Sequence, residues 1–289
     1  MNVADYYDSN TRRFLRFGRL GEIGVVHRGV WAPEVKDPAA AAHYVHDRIA
    51  ADVNGRFPES PRGLDLGCGV GASMVRIARQ TGASLAGITI SSTQAAIAGE
   101  RLSELPPDVA GRLSVRAGDF CTPESYEGIP DASLDFAYFI ESLVHAPEPE
   151  LLFRLLTSRL KPGARVYVCD DLLGMPRDSF STVRMGRQSG DQIVENYRRG
   201  WHINSLMTPE ELESLLSGFG MHLLESRDLT PYLRLNRLRD RLIRLAVPLF
   251  RPFGENTPWW DNFLGGDALQ RALTVGLINY RLVTFEYRP

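Results

Sequence analysis

Leu64-Asp65-Leu66-Gly67-Cys68-Gly69-Val70-Gly71 is an apolar strand end running into a turn with glycine at alternate positions, followed by a helical pattern through Met74, Ile77 and Ala78. Glycines let such a turn adopt positive φ and let a ligand approach the main chain, with the N–H groups of the helix start aimed at it. The stretch predicts a strand, a nucleotide-type cofactor loop and a helix, the opening unit of an α/β sheet. Three spaced glycines cost conformational entropy without adding packing, which makes a merely tight turn the poorer explanation.

A dinucleotide fold calls for G-x-G-x-x-G and an acidic residue about 20 positions on to hold a ribose. Here Gly67, Gly69 and Gly71 give G-x-G-x-G, and the second strand, Ser84-Leu85-Ala86-Gly87-Ile88-Thr89-Ile90-Ser91, ends with Thr89 where the acid belongs. Both departures disfavour a nicotinamide dinucleotide. Helix and strand then alternate: helix 71–80, strand 84–90, helix 92–104, strand 112–117, a strand over 134–139, helix 148–160, a turn at Lys161-Pro162-Gly163 and a strand from Ala164 to Cys169. A helix at 208–218 and strands at 221–228 and 279–287 follow. This rhythm argues a parallel sheet with crossover helices.

The 289 residues suit one elaborated α/β domain. Basic and acidic residues number 33 and 35 with no long single-sign run, which points away from nucleic acid, and Lys36 and Lys161 are the only lysines. Cys68, Cys121 and Cys169 lack metal or disulfide spacing and fit a reducing cytoplasm. The polar, aromatic start is not a signal peptide, and no apolar run approaches a membrane span. Residues 1–36 read as an N-terminal aromatic helical segment carrying Tyr6, Tyr7, Phe14, Leu15 and Phe17, and 37–289 as the main domain. Pro58 and Pro61 break the chain between a helix over 38–53 and the first strand.

Residues 172–207 interrupt the rhythm with scattered glycine and arginine. This connection leaves the carboxyl end of a strand, the edge where open α/β sheets bind ligands, and reads as a lid. Residues 232–250 form an amphipathic pattern with Leu235, Leu238, Leu242, Ile243 and Leu245 against five arginines. Such helices cover the host domain or the partner subunit of a homodimer; contact with a membrane surface is the alternative.

Leu64–Gly71, Gly87-Ile88-Thr89-Ile90-Ser91 with Gln94, and Gly118-Asp119-Phe120, in that order, resemble class I S-adenosylmethionine-dependent methyltransferases. Threonine in place of the ribose-binding acid is similar to the subgroup containing sterol, tocopherol, mycolic-acid and prenyl methyltransferases. The resemblance implies a Rossmann-like, seven-stranded, mostly parallel sheet with helices on both faces, and S-adenosylmethionine as cofactor. It implies Asp65 with the Gly67, Cys68 and Gly69 backbone at the amino-acid part, Thr89, Ile90 and Gln94 by the ribose, and Asp119 and Phe120 at the adenine.

Methyl transfer from a sulfonium requires the cofactor held, water excluded and a nucleophile in line. Phe139-Ile140-Glu141-Ser142-Leu143-Val144-His145 follows the fourth strand at the ligand edge. In prenyl-methylating enzymes a glutamate at the position of Glu141 faces the cation formed when an alkene takes up the methyl. A carboxylate there stabilises the cation and accepts its proton, and Tyr6, Tyr7, Trp31, Tyr197 and Trp201 are candidate aromatic faces. Natural-product O-methyltransferases carry a similar Glu-Ser-Leu-x-His stretch, in which His145 would deprotonate a hydroxyl, oriented by Asp170 or Asp171. Plain structural roles are the alternatives: cofactor or backbone bonding for Glu141, helix capping for His145.

The stretches Tyr6–Thr11, Phe14–Gly18, His27–Trp31 and Asp228–Tyr232 resemble bacterial terpenoid C-methyltransferases. That likeness implies C-methylation of an isoprenoid double bond, on a free prenyl diphosphate or on a prenyl chain attached to a larger scaffold. A diphosphate would call on Arg28, Arg184, Arg187, Arg198 and Arg199, with Mg²⁺. No compact carboxylate cluster marks a metal site, so no metal ligand is assigned and a neutral prenylated substrate stays open.

Overall fold

The computed structural model describes residues 3–17, 24–57, 59–235 and 258–289. Strand β1 (Arg62–Leu66) ends in Gly67, Gly69 and Gly71, at φ of 96°, 53° and 77°, and the chain enters helix α3 (Ala72–Thr81). A side chain at Gly67 would also strike Ser142. Ahead of β1 come α1 (Val3–Phe17) and α2 (Pro38–Arg56), the latter capped by Asp37 with Pro38 at its first position, where a missing N–H costs nothing. After α3 follow β2 (Ser84–Thr89), α4 (Ser92–Ser103), short α5 (Pro107–Ala110), β3 (Leu113–Ala117), β4 (Leu134–Ile140), α6 (Pro149–Thr157) and β5 (Leu160–Leu173).

With β8 (Met221–Asp228) and β9 (Ile278–Tyr287), the seven strands lie in the order β3-β2-β1-β4-β5-β9-β8. Only β9 is reversed, pairing antiparallel with both β5 and β8. Strand order changes direction between β1 and β4, and ligands bind at the carboxyl edge of such a switch point. Side chains alternate across the sheet: Phe136 and Tyr138 pack towards Ile49, Val53 and Ile77 of α2 and α3, whereas Leu64, Leu66 and Phe139 pack towards Phe153 and Leu156 of α6.

The expected Lys161-Pro162-Gly163 turn lies inside β5, where a register shift between Leu134 and Phe136 absorbs it. β5 also runs past Cys169, because β9 supplies partners as far as Leu173. Beyond it, residues 172–207 hold a short 3-10 turn, a hairpin of β6 (Arg184–Met185) with β7 (Gln188–Ser189), and α7 (Gly190–Trp201), begun by a Ser189/Gln192 capping box. α7 packs on α9 (Pro258–Thr274), a helix that no sequence pattern announced; α8 (Pro209–Ser217) precedes β8. The amphipathic segment expected at 232–250 lies outside the described residues from 236 onward. Among the described residues no helix is long and apolar enough to cross a membrane.

Candidate active site

A cavity of about 1290 Å³ opens over the switch point. It exceeds the volume of about 300–1,000 Å³ usual for one small ligand and has room for a cofactor and an acceptor together. All nine positions expected to meet the cofactor line it: Asp65, Gly67, Cys68 and Gly69 after β1, Thr89, Ile90 and Gln94 after β2, Asp119 and Phe120 after β3. The Asp65 carboxylate accepts from Ser73 Oγ at 2.6 Å. Burial pushes Asp65 up to about 7, against the Ser73 and Tyr138 hydroxyls, which favour its charged form. Thr89 Oγ1 donates to Gln94 Oε1 at 2.7 Å, leaving the amide nitrogen of Gln94 as the donor that pair can still offer. Asp119 Oδ1 accepts from the Cys121 N–H at 2.8 Å, which fixes the loop that carries Phe120.

The other half of the cavity is built around Glu141 and His145. Glu141 sits at φ 54°, a left-handed conformation rare outside glycine, and its N–H is held by the Cys169 carbonyl at 2.8 Å. The backbone N–H and Nε of Arg28 both donate to Glu141 Oε1 at 2.9 Å, while Arg28 Nη1 donates to Asp171 Oδ1 at 2.8 Å. Asp171 Oδ2 accepts from the Tyr197 hydroxyl at 2.6 Å, and the Arg28 guanidinium lies 4.2 Å from the centre of the Tyr280 ring. Burial works to raise the Glu141 carboxyl, but Arg28 and His27 outweigh it and hold the group below its usual range. Arg28, expected among diphosphate ligands, is thus engaged within the wall.

His145 Nδ1 lies 3.2 Å from the His202 carbonyl oxygen. A carbonyl only accepts, so Nδ1 carries the hydrogen and Nε2 accepts from the Tyr7 hydroxyl, 2.9 Å away. Burial brings His145 down to about 4, leaving it neutral at pH 7, and pushes the Tyr7 hydroxyl well up. The expected partners of His145 are elsewhere: Asp170 accepts from the Val144 N–H at 3.2 Å and the Asp171 N–H at 2.9 Å, and Asp171 serves Arg28 and Tyr197. His202, which closes α7 in a left-handed cap, does the orienting, and no sequence motif marks it.

Trp31, Tyr197 and Trp201 line the cavity, with the Arg234 guanidinium 3.0 Å from the Trp31 ring centre. Tyr6 is buried behind the wall, edge-on to Tyr7 at 5.2 Å between ring centres. Arg184, Arg187, Arg198 and Arg199 are exposed and off the cavity. Helical geometry explains the last two, because Tyr197 and Trp201, four residues apart, take the inner face of α7 and turn the intervening arginines outward. Arg184 lies on the small hairpin. Among the described residues Arg28 and Arg234 are the only arginine or lysine side chains lining the cavity, against Asp65, Asp119, Glu141, Asp170, Asp171 and Asp267. No group of three His, Cys, Asp or Glu among those residues is arranged to hold a metal ion.

A family model described as "Methyltransferase domain" matches residues 40–226. The chain is 29% identical over 297 aligned positions to O-methyltransferase cnsE of Penicillium expansum, covering 99% of this chain and 92% of that protein. The solved geranyl diphosphate C-methyltransferase of Streptomyces coelicolor A3(2) is similar with a TM-score of 0.65 at 18% identity, over 97% of each chain. A putative sarcosine dimethylglycine methyltransferase of Galdieria sulphuraria gives 0.71 at 16%, over 98% and 99%. Likeness at such identities speaks for the fold and not for an acceptor. The positive-φ glycine loop, the strand order and the cavity at the switch point fit the cofactor that these motifs imply, and the chain belongs to the methyltransferase-domain family as an S-adenosylmethionine-dependent methyltransferase.

Proposed function

We propose that this enzyme methylates a hydroxyl oxygen of an uncharged, largely apolar natural product, with Tyr7 and His145 carrying the proton away. The hydrogen bond from the Tyr7 hydroxyl to His145 Nε2 carries this reading: it puts a neutral proton acceptor, in a fixed tautomer, on the cavity wall. Bound S-adenosylmethionine supplies a methyl on a sulfonium, which departs as a neutral thioether. As the acceptor oxygen forms its bond to the methyl carbon and the carbon–sulfur bond breaks, the acceptor proton moves to Tyr7 Oη and the Tyr7 proton moves to His145 Nε2. A base near 4 is weak, but a hydroxyl becomes strongly acidic as it is methylated, so weak basicity suffices. Asp65 with the Gly67–Gly69 backbone, the Thr89–Gln94 pair and Asp119 with Phe120 hold the amino-acid, ribose and adenine parts, and residues 3–17, 24–36 and 172–207 close over the acceptor. The relation to O-methyltransferase cnsE supports the choice of oxygen.

The charges of the described wall support an uncharged acceptor. Arg28 is bound to two carboxylates and the other arginines expected to hold a diphosphate are exposed elsewhere, so among the described residues neither a diphosphate nor its Mg²⁺ has a clamp. Three buried thiols favour a cytoplasmic enzyme.

Methylation of an isoprenoid alkene carbon is the second reading, favoured by the carboxylate-rich, aromatic wall. It ranks below the first because Glu141 and Trp31, two of the groups that would stabilise a carbocation, already face cations: Arg28 holds Glu141, and Arg234 covers Trp31. The test is to incubate the protein with methyl-labelled S-adenosylmethionine and a panel of uncharged phenols, alcohols, prenylated indoles and prenyl diphosphates, locating the label by mass spectrometry and NMR. Label on oxygen is expected. Label on a prenyl carbon, of a neutral scaffold or of a diphosphate, would put the second reading first, and label on diphosphates alone would also overturn the uncharged acceptor.

A further inference from the structure

Three histidines stand in a row beside the methyl-transfer chemistry without taking part in it. His27 lines the cavity, His46 on α2 is fully buried, and His43, one turn earlier, is partly exposed. His27 Nε2 lies 2.7 Å from His46 Nε2, and His46 Nδ1 lies 3.1 Å from His43 Nδ1. At the inner end, His27 Nδ1 lies 3.0 Å from the carbonyl oxygen of Arg28.

That last contact decides every hydrogen in the row. The carbonyl only accepts, so His27 Nδ1 carries the hydrogen. In the neutral ring Nε2 is then bare and takes a hydrogen bond from His46 Nε2–H. His46 Nδ1 is bare in turn and takes one from His43 Nδ1–H. The one acceptor nitrogen of the row left open is His43 Nε2, at its outer end.

We propose that this row conveys a single proton between solvent and the active-site wall, and that His46 is a positioning residue which holds the Arg28 loop on Glu141 only while the row carries at most one extra proton. A proton taken up at His43 Nε2 releases Nδ1–H to His46 Nδ1, which releases Nε2–H to His27 Nε2. Each contact still contains one hydrogen, and the charge arrives on His27, next to Glu141. A second proton finds no open nitrogen, so two hydrogens must share one nitrogen–nitrogen contact and the row parts. What parts is the attachment of His27, and with it the loop whose Arg28 N–H and Nε hold Glu141 and whose Gly24–Gly29 stretch lines the cavity.

The groups that face the row favour the first proton and oppose the second. Glu141 faces His27 from the end of β4, and Asp47 faces His43 from α2; both attract a proton. Arg28 faces His27 from its own loop, and Arg76 faces His43 and His46 from α3, ion-paired to Asp47 at 2.7 Å; both repel one. Burial holds all three rings below the usual histidine range, so the row is neutral at pH 7.

The proposal concerns loop and cofactor, and stands whether the acceptor atom is oxygen or carbon. In the full chain at pH 7.5, nitrogen-15 imidazole NMR should show His27 and His43 protonated at Nδ1 and His46 at Nε2; His46 protonated at Nδ1 would overturn it. S-adenosylhomocysteine affinity is then followed by calorimetry from pH 8 to 5 for the wild type, His43→Gln and His46→Gln. The wild type should lose about tenfold in affinity as histidines titrate. His43→Gln, which removes the entry point, should match it at pH 7.5 and move the acid limb down by about one unit. His46→Gln should bind weakly at every pH; should it fail to fold, His43→Gln still decides. Superimposable wild-type and His43→Gln profiles would overturn the proposal. Titration of Asp65 is common to all three proteins and cancels in the comparison.

Discussion

The two halves of the cavity are built in opposite ways. The cofactor half comes from three strand ends and the turns that follow them, Leu64–Gly71, Gly87–Gln94 and Gly118–Phe120, so that its chemistry is encoded by neighbours in sequence. The acceptor half is joined across the chain: 113 residues separate Arg28 from Glu141, 138 separate Tyr7 from His145 and 143 separate Arg28 from Asp171. Local geometry makes a cofactor loop robust and recognisable. Long-range pairing leaves an acceptor pocket free to change without disturbing the sheet, which is how one fold serves many acceptors.

The largest effect on cofactor binding should come from Gly67→Val. A β-branched residue at φ 96° costs about 1–3 kcal/mol, and overlap with Ser142 adds a similar amount. S-adenosylhomocysteine affinity should fall by about 100-fold or more in calorimetry. Binding within about threefold of wild type would show that the cofactor half does not depend on its loop.

The acceptor half should respond in rate instead. His145→Ala is expected to lower kcat by about 10²–10³ while leaving S-adenosylhomocysteine affinity within about twofold. Glu141→Gln should cost less in kcat and more in thermal stability, because it leaves Arg28 with a neutral partner in place of a carboxylate. The reverse order in kcat, with label on carbon, would give Glu141 the chemistry.

A smaller effect separates the halves by pH. The Asp65 carboxyl lies above its unfolded value, so its contribution to stability is present at low pH and is lost as pH rises through about 7. An ammonium group bound beside it restores the charged form. Cofactor binding at pH 7 should therefore release about half a proton, read by calorimetry in buffers of different ionisation enthalpy. Asp65→Asn should remove that release; its persistence in the variant would place the titrating group elsewhere.

Legibility followed the same divide. Seven strands and the glycine loop could be read because periodicity and turn chemistry are local properties; the nine positions that the resemblance implies for the cofactor lie at the same strand ends and line the cavity. Tyr7, Trp31, Tyr197 and Trp201 were nominated as aromatics and do line the cavity, since the inner face of α7 follows from helical spacing. The arginines did not gather as a group, because charge in a sequence does not say whether a side chain faces solvent or a buried carboxylate: Arg28 is bound to Glu141 and Asp171, and Arg184 is exposed. His202 and α9 carry no motif; they matter only through what they pack against.

The smallest effect tests whether the two halves are independent at all. Asp8 adjoins Tyr7 on α1, yet its carboxylate accepts from Ser91 Oγ at 2.5 Å, the Thr93 N–H at 3.0 Å and Ser92 Oγ at 3.3 Å, at the start of α4 beside Gln94. The Ser91 hydroxyl, with the Thr93 N–H, holds Asp8 below the usual carboxylate range, so the link is intact across neutral pH. A helix-start acceptor of this kind is worth about 1 kcal/mol, so Asp8→Ala should cost about fivefold, and Asp8→Asn, whose amide oxygen accepts the same bonds, much less. Where that fivefold appears is the informative part. A loss confined to S-adenosylhomocysteine affinity would leave Tyr7 in place and the halves separate. A parallel loss in kcat would mean that one half-buried carboxylate seats the proton acceptor's partner by way of the cofactor's own helix, making α1 the element through which binding on one side is felt on the other.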